Sequence, residues 1–116
     1  MATEEQRTRQ LRLTQNQSLY RQVNERVEAV NRAFSFVTGL SQFVCECAND
    51  ACTRQVSMTI DEYEAVRARP DTFVVLPDDA HVYLDIEEIV ERDDRYWVVQ
   101  KQGFGRAEAQ RLDPRA

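Results

Sequence analysis

In the first third of the chain, Leu13, Asn16, Tyr20, Val23, Val27, Val30, Phe34 and Val37 are separated by 3, 4, 3, 4, 3, 4 and 3 positions, and all but Asn16 are apolar or aromatic. That is the seam of a coiled coil, with Leu13, Tyr20, Val27 and Phe34 at one seam position. Residues 3–38 hold no Gly and no Pro and are rich in Arg, Gln, Glu, Leu and Ala, so one long helix is expected, stopped by Gly39. A helix of about 35 residues is roughly 50 Å long. A compact domain of about 75 residues is only roughly 30 Å across. Part of the seam would then project beyond the domain. A partner helix is the simplest cover, docking on the same chain is the alternative, and Asn16 would fix register at a cost in stability.

Beyond residue 40 the pattern shortens. Ser41-Gln42-Phe43-Val44 reads as a strand leading into Cys45, and residues 54–58 as another, with Val56 and Met58 on one face. Thr59 and Glu62 have capping-box spacing and open a helix that Pro70 closes after about Arg69. Ile60, Tyr63 and Val66 would face inward, while Asp61, Glu62 and Glu64 would form a solvated acidic face. The apolar run 72–76 predicts a central strand. Residues 86–92 and 95–101 predict a hairpin turning on Asp93-Asp94, with a helical turn at 87–91 as the alternative. Tyr96 and Trp97 read as packing residues. Gly103 and Gly105 break the pattern before a short helix over 106–112. The fold class expected is α+β: a long coiled-coil-like N-terminal helix (1–40), then a small, β-rich, metal-stapled domain with one or two short helices (41–116).

The chemistry sits in Cys45-Glu46-Cys47-Ala48-Asn49-Asp50-Ala51-Cys52, which holds all three cysteines, and in His81, the only histidine. Residues two apart in extended chain point the same way, so Cys45 and Cys47 can face one point, and the turn 48–51 can return Cys52 to it. Zn²⁺ wants four such ligands in a tetrahedron. The fourth is expected to be His81, with Asp50, Asp78, Asp79 or water as competitors. The zinc deaminase pattern is absent, and one histidine cannot supply the paired histidines of a zinc protease. A structural Cys3His site is therefore favoured over a catalytic one. Three thiolates and a neutral histidine on Zn²⁺ leave one negative charge, which Arg54 is placed to offset.

Composition narrows the rest. Three cysteines cannot all pair as disulfides, a polar Met1–Gln10 segment is no secretory signal, and no apolar run is long enough to cross a membrane, so a cytoplasmic setting is expected. The net charge of −5 is uneven: six Arg against four Glu give residues 1–40 a charge of +2, leaving −7 on residues 41–116. So acidic a domain repels nucleic acid, and any such contact would have to use the Arg-rich helix.

Taken together, the Cys45-x-Cys47-x4-Cys52 cluster, Glu62-Tyr63-Glu64-Ala65-Val66-Arg67, Phe73-Val74-Val75 with His81, and Arg95-Tyr96-Trp97-Val98-Val99 resemble a group of small bacterial zinc-knuckle proteins with an N-terminal helix. The resemblance covers roughly residues 10–113. In that group the histidine follows a Pro-Gly pair; here the run is Pro77-Asp78-Asp79-Ala80-His81. It implies an architecture and a ligand set, and no reaction. The functional expectation is a non-enzymatic zinc-binding interaction protein, forming a homodimer or docking a partner protein through its helix. The alternatives are a transcription-associated regulator using the Arg-rich helix, and a zinc-thiolate redox sensor.

Overall fold

A computed structural model describes residues 3–33 and 39–115. It is α+β, as the patterning predicts. Helix α1 (Glu4–Ala33) is followed by a hairpin of β1 (Ser41–Val44) and β2 (Gln55–Met58), then α2 (Ile60–Arg67) and β3 (Thr72–Val75). A 3-10 turn (Asp79–His81), β4 (Glu87–Arg92), β5 (Trp97–Lys101) and α3 (Phe104–Arg111) complete the chain. Thr3 starts α1 with a reciprocal cap: Gln6 N donates to Thr3 Oγ1 at 3.1 Å and Thr3 N to Gln6 Oε1 at 2.7 Å. The stop at Gly39 and the seam positions Phe34 and Val37 bear on 34–38, outside the described residues. Helix α2 has the Thr59/Glu62 capping box that its sequence signals, a device worth about 1 kcal/mol.

β1 and β2 pair antiparallel, and β3, β5 and β4 form a second antiparallel sheet in that order. β3 is thus at an edge of its sheet, not central, although all four of its residues are buried. Its free edge is covered by the cysteine loop: Glu46 N donates to Val74 O at 2.8 Å and Val74 N to Glu46 Oε1 at 3.0 Å. Residues 87–92 are strand, with a register shift between Ile89 and Glu91, so the helical alternative falls. The β4–β5 turn is centred one residue later than predicted. Asp93 N donates to Tyr96 O and the Asp93 carboxylate accepts from Arg95 N, which puts Asp94-Arg95 at the tip. The α2 acids are not merely solvated either: Glu62 pairs with Arg95 and Glu64 with Arg115.

One core joins the two sheets. Phe43 stacks on Tyr63 with ring centroids 4.4 Å apart, and Val56, Met58, Phe73, Val74, Val75, Val98 and Val99 fill in around them. Against this core α1 lays an unexpected side. Its buried residues include Thr14, Gln17, Arg21, Asn24 and Glu28, which also run at 3-4 spacing but one position after Leu13, Asn16, Tyr20, Val23 and Val27. One position turns the helix by about 100°. The docked side is therefore polar, and it is tolerated because its polar groups find partners. Gln17 donates to Glu87 at 2.9 Å and accepts from the buried Lys101 ammonium at 2.7 Å. Arg21 donates to the carbonyls of Pro70 and Ala109 and lies 4.5 Å over the Phe73 ring. Burial pushes the pKa of both cations down, and Glu87 opposes this at Lys101. The α1–α3 crossing is close enough to need Gly105, where an added Cβ would lie 2.5 Å from Thr14 Oγ1.

Candidate metal centre

Two separate pieces of backbone deliver the four predicted ligands to one point. The loop between β1 and β2 carries the cysteines. Cys45 N donates to Arg54 O at 3.0 Å, which closes the hairpin base. At its far end, Ala51 N donates to the Asn49 carboxamide oxygen and Cys52 N to Asn49 O, forming the turn expected there. His81 ends the 3-10 turn, which the Asp78 carboxylate caps by accepting from Ala80 N at 2.9 Å. The ligand atoms of Cys45, Cys47, Cys52 and His81 all lie within 4.8 Å of one another. Asp50, Asp78 and Asp79 are not in the group.

The geometry suits a tetrahedral ion. Bonds of about 2.3 Å to sulfur and about 2.0 Å to nitrogen place those atoms about 3.5 Å apart. His81 Nδ1 lies 3.5 Å from Cys45 Sγ and 3.8 Å from Cys52 Sγ. The three sulfurs are buried, and His81 is half-buried at the rim. Crowded thiols resist joint ionisation. The hydrogen bond shared by Cys45 and Cys47 pushes the Cys45 pKa up and the Cys47 pKa down, and burial pushes Cys52 up. A bound dication would remove that conflict by letting all three ionise. Leu76 N, on the far side, donates to Cys45 Sγ at 3.4 Å. Arg54 acts through its backbone, which holds Cys45 and opposes the rise that burial causes in the Cys52 pKa; its own residue is exposed.

Sequence reasoning missed what holds the loop. Glu46, between two ligands, is fully buried, and its side chain points away from them. Its carboxylate accepts from Asn24 at 2.9 Å, from the Tyr63 hydroxyl at 2.8 Å and from Val74 N. Burial pushes its pKa up while these three donors pull it down; burial and Glu46 together push Tyr63 up. An anchored middle residue leaves Cys45 and Cys47 facing one way.

Helix α1 supplies the rest of the grip from positions four apart. Asn16 donates to Ala48 O at 3.2 Å, the Tyr20 hydroxyl lies 2.7 Å from Cys52 O, and Asn24 exchanges bonds of 2.8 and 2.7 Å with the Val44 carbonyl and N–H. Asn16 and Tyr20, read as seam residues, thus hold the backbone of the cysteine loop. Only the spacing of polar residues on α1 hinted at this, and the apolar series hid it. Comparison of the chain with family models, with curated proteins and with solved structures finds no match.

Proposed function

We propose that Cys45, Cys47, Cys52 and His81 hold one Zn²⁺ as a structural staple, and that the chain is a non-enzymatic interaction module presenting the outward side of α1 to a partner. The observation that carries this is the ligand set, four protein donors within 4.8 Å of one another with the adjacent carboxylate turned away. Glu46 is committed to Asn24, Tyr63 and Val74, so the carboxylate between Cys45 and Cys47 in sequence is not free to act as a general base. The mixed sulfur and nitrogen set favours Zn²⁺ over harder ions. Metal analysis of the purified chain is expected to give one zinc per molecule, and Co²⁺ exchange the intense bands of a tetrahedral thiolate site. A chain that refolds fully in chelator and takes up no metal would overturn the staple.

A second reading, the thiolate switch, draws on the closeness of the sulfurs. Peroxide would take two electrons from two thiolates and two protons from solvent, forming one disulfide and two waters, and zinc would lose two ligands. Zinc that stays bound after peroxide treatment removes that reading. The regulator reading draws less support. Of the six Arg in residues 1–40, Arg9 pairs with Asp85, Arg32 with Glu28, and Arg21 is buried, so α1 offers no continuous basic side.

A further inference from the structure

Leu13 and Val27 apart, helix α1 is polar toward its own domain, and its other aliphatic residues at 3-4 spacing lie on the side away from it. Leu19, Val23 and Val30 are 61%, 46% and 60% exposed, and with Val27 they line a shallow groove along the helix. Single apolar residues on a surface are ordinary. These lie at helical spacing on one line, and Leu19, Val23, Arg26 and Val30 follow one another by 4, 3 and 4 positions. A helix serving only its own domain has the opposite arrangement.

Charge says what can cover this line. Arg26 lies within it and Arg12 two heptads before, both exposed and neither in an ion pair among the described residues. The acids of the same stretch face elsewhere: Glu25 is held by Arg67 and Arg115, and Glu28 by Arg32 and Arg115. A second copy of the chain brings a carboxylate to this line only through Glu5, and the antiparallel pairing that sets Glu5 against Arg26 also sets Arg12 against Leu19 and Thr8 against Val23. Parallel pairing sets Arg26 against Arg26, antiparallel pairing about Leu19 sets Arg12 against Arg26, and pairing that puts Leu19 against Val30 leaves Arg26 against Val23. Like charges or an unpaired charge in a seam oppose association. We infer that the outward side of α1 docks an amphipathic helix of a different protein, with aliphatic residues at 3-4 spacing and a Glu or Asp facing Arg26. This rests on the reading of α1 as the contact helix.

The test uses the full zinc-loaded chain and two synthetic helical peptides with one leucine seam. One peptide has Glu and the other Lys at the positions flanking the seam. At low salt the Glu peptide is expected to bind at least tenfold more tightly, Arg26→Glu to reverse that order, and Val23→Asp to abolish binding of both, with zinc content unchanged in each variant. Equal binding of the two peptides, or sedimentation of the free chain as a dimer that Val23→Asp dissociates, overturns the acidic partner but leaves α1 as a contact helix. A monomer that binds neither peptide overturns both readings and leaves the zinc staple standing.

Discussion

Asn24→Ala tests whether the polar side of α1 holds the cysteine loop. The substitution removes three bonds at once, to the Val44 carbonyl, the Val44 N–H and the Glu46 carboxylate. Asn24 and Glu46 are both fully buried, so water cannot readily replace what is lost. A buried polar group left without its partner costs about 1–3 kcal/mol, more when charged. Three groups lose a partner, but the two on Val44 are only part-buried and Glu46 keeps two other donors, so the expected loss is about 2–5 kcal/mol, a large share of the roughly 5–15 kcal/mol that stabilises a domain. At a urea slope of about 1–3 kcal/mol/M, the midpoint should fall by roughly 1–3 M. Trp97, the only tryptophan, reports on β5, and far-ultraviolet circular dichroism reports on α1, so the two signals show whether helix and sheet unfold together. Gln22→Ala, on the exposed side, is the control, expected to change stability by less than about 0.5 kcal/mol. Tyr63→Phe removes another donor to the same Glu46 oxygen. Combined with Asn24→Ala, its loss should exceed the sum of the two, because Glu46 would keep only Val74 N. An Asn24→Ala midpoint no lower than that of Gln22→Ala would refute the reasoning.

Three further outcomes follow from the geometry. Cys47→Ser or a strong chelator should abolish zinc binding and speed hydrogen exchange at the α1 amides around Asn16 to Asn24; unchanged α1 protection would show that helix and site are independent. Gly105→Ala should cost about 1–3 kcal/mol by thermal unfolding because of the clash with Thr14 Oγ1, and Thr14→Ala in the same chain should recover part of it. Arg95 holds the Glu62 carboxyl down to about 2. A carboxylate with a lowered folded pKa adds stability above its unfolded pKa of about 4.3 and loses it as pH falls toward the folded value. The Tm difference between wild type and Arg95→Gln should therefore be present at neutral pH and close between about pH 4 and pH 2. Solvent screening at this partly exposed pair keeps the difference small.

Local signals made much of this molecule legible. Strand β1, the Thr59 cap, the β4–β5 hairpin and the cysteine cluster are each specified by residues close in sequence. His81 could be reached because it is the only histidine and sits in a loop behind a strand. The docked side of α1 was not legible. Adjacent 3-4 series on a helix differ only by a turn of about 100°, and an apolar series attracts the reading toward itself. The polar series wins because Lys101, Glu87, Pro70 and Ala109, all distant in sequence, satisfy it. Glu46 was hidden for the same reason: its donors come from α1, α2 and β3. Run 72–76 looked central because it is apolar throughout, and it is buried at an edge only because the cysteine loop lies along it.

The polar docked side has a consequence for a chain being synthesised. Gln17 waits 84 residues for Lys101, Arg21 waits 88 for Ala109, and Glu25 waits 90 for Arg115. The cysteine loop follows α1 closely, but until these later residues emerge Gln17, Arg21 and Glu25 lack these partners. An apolar docking side would spend that time exposed and prone to aggregate; one made of Thr, Gln, Arg and Asn is hydrated while it waits. Docking is then a late event that closes long loops, and contacts of this range fold slowly.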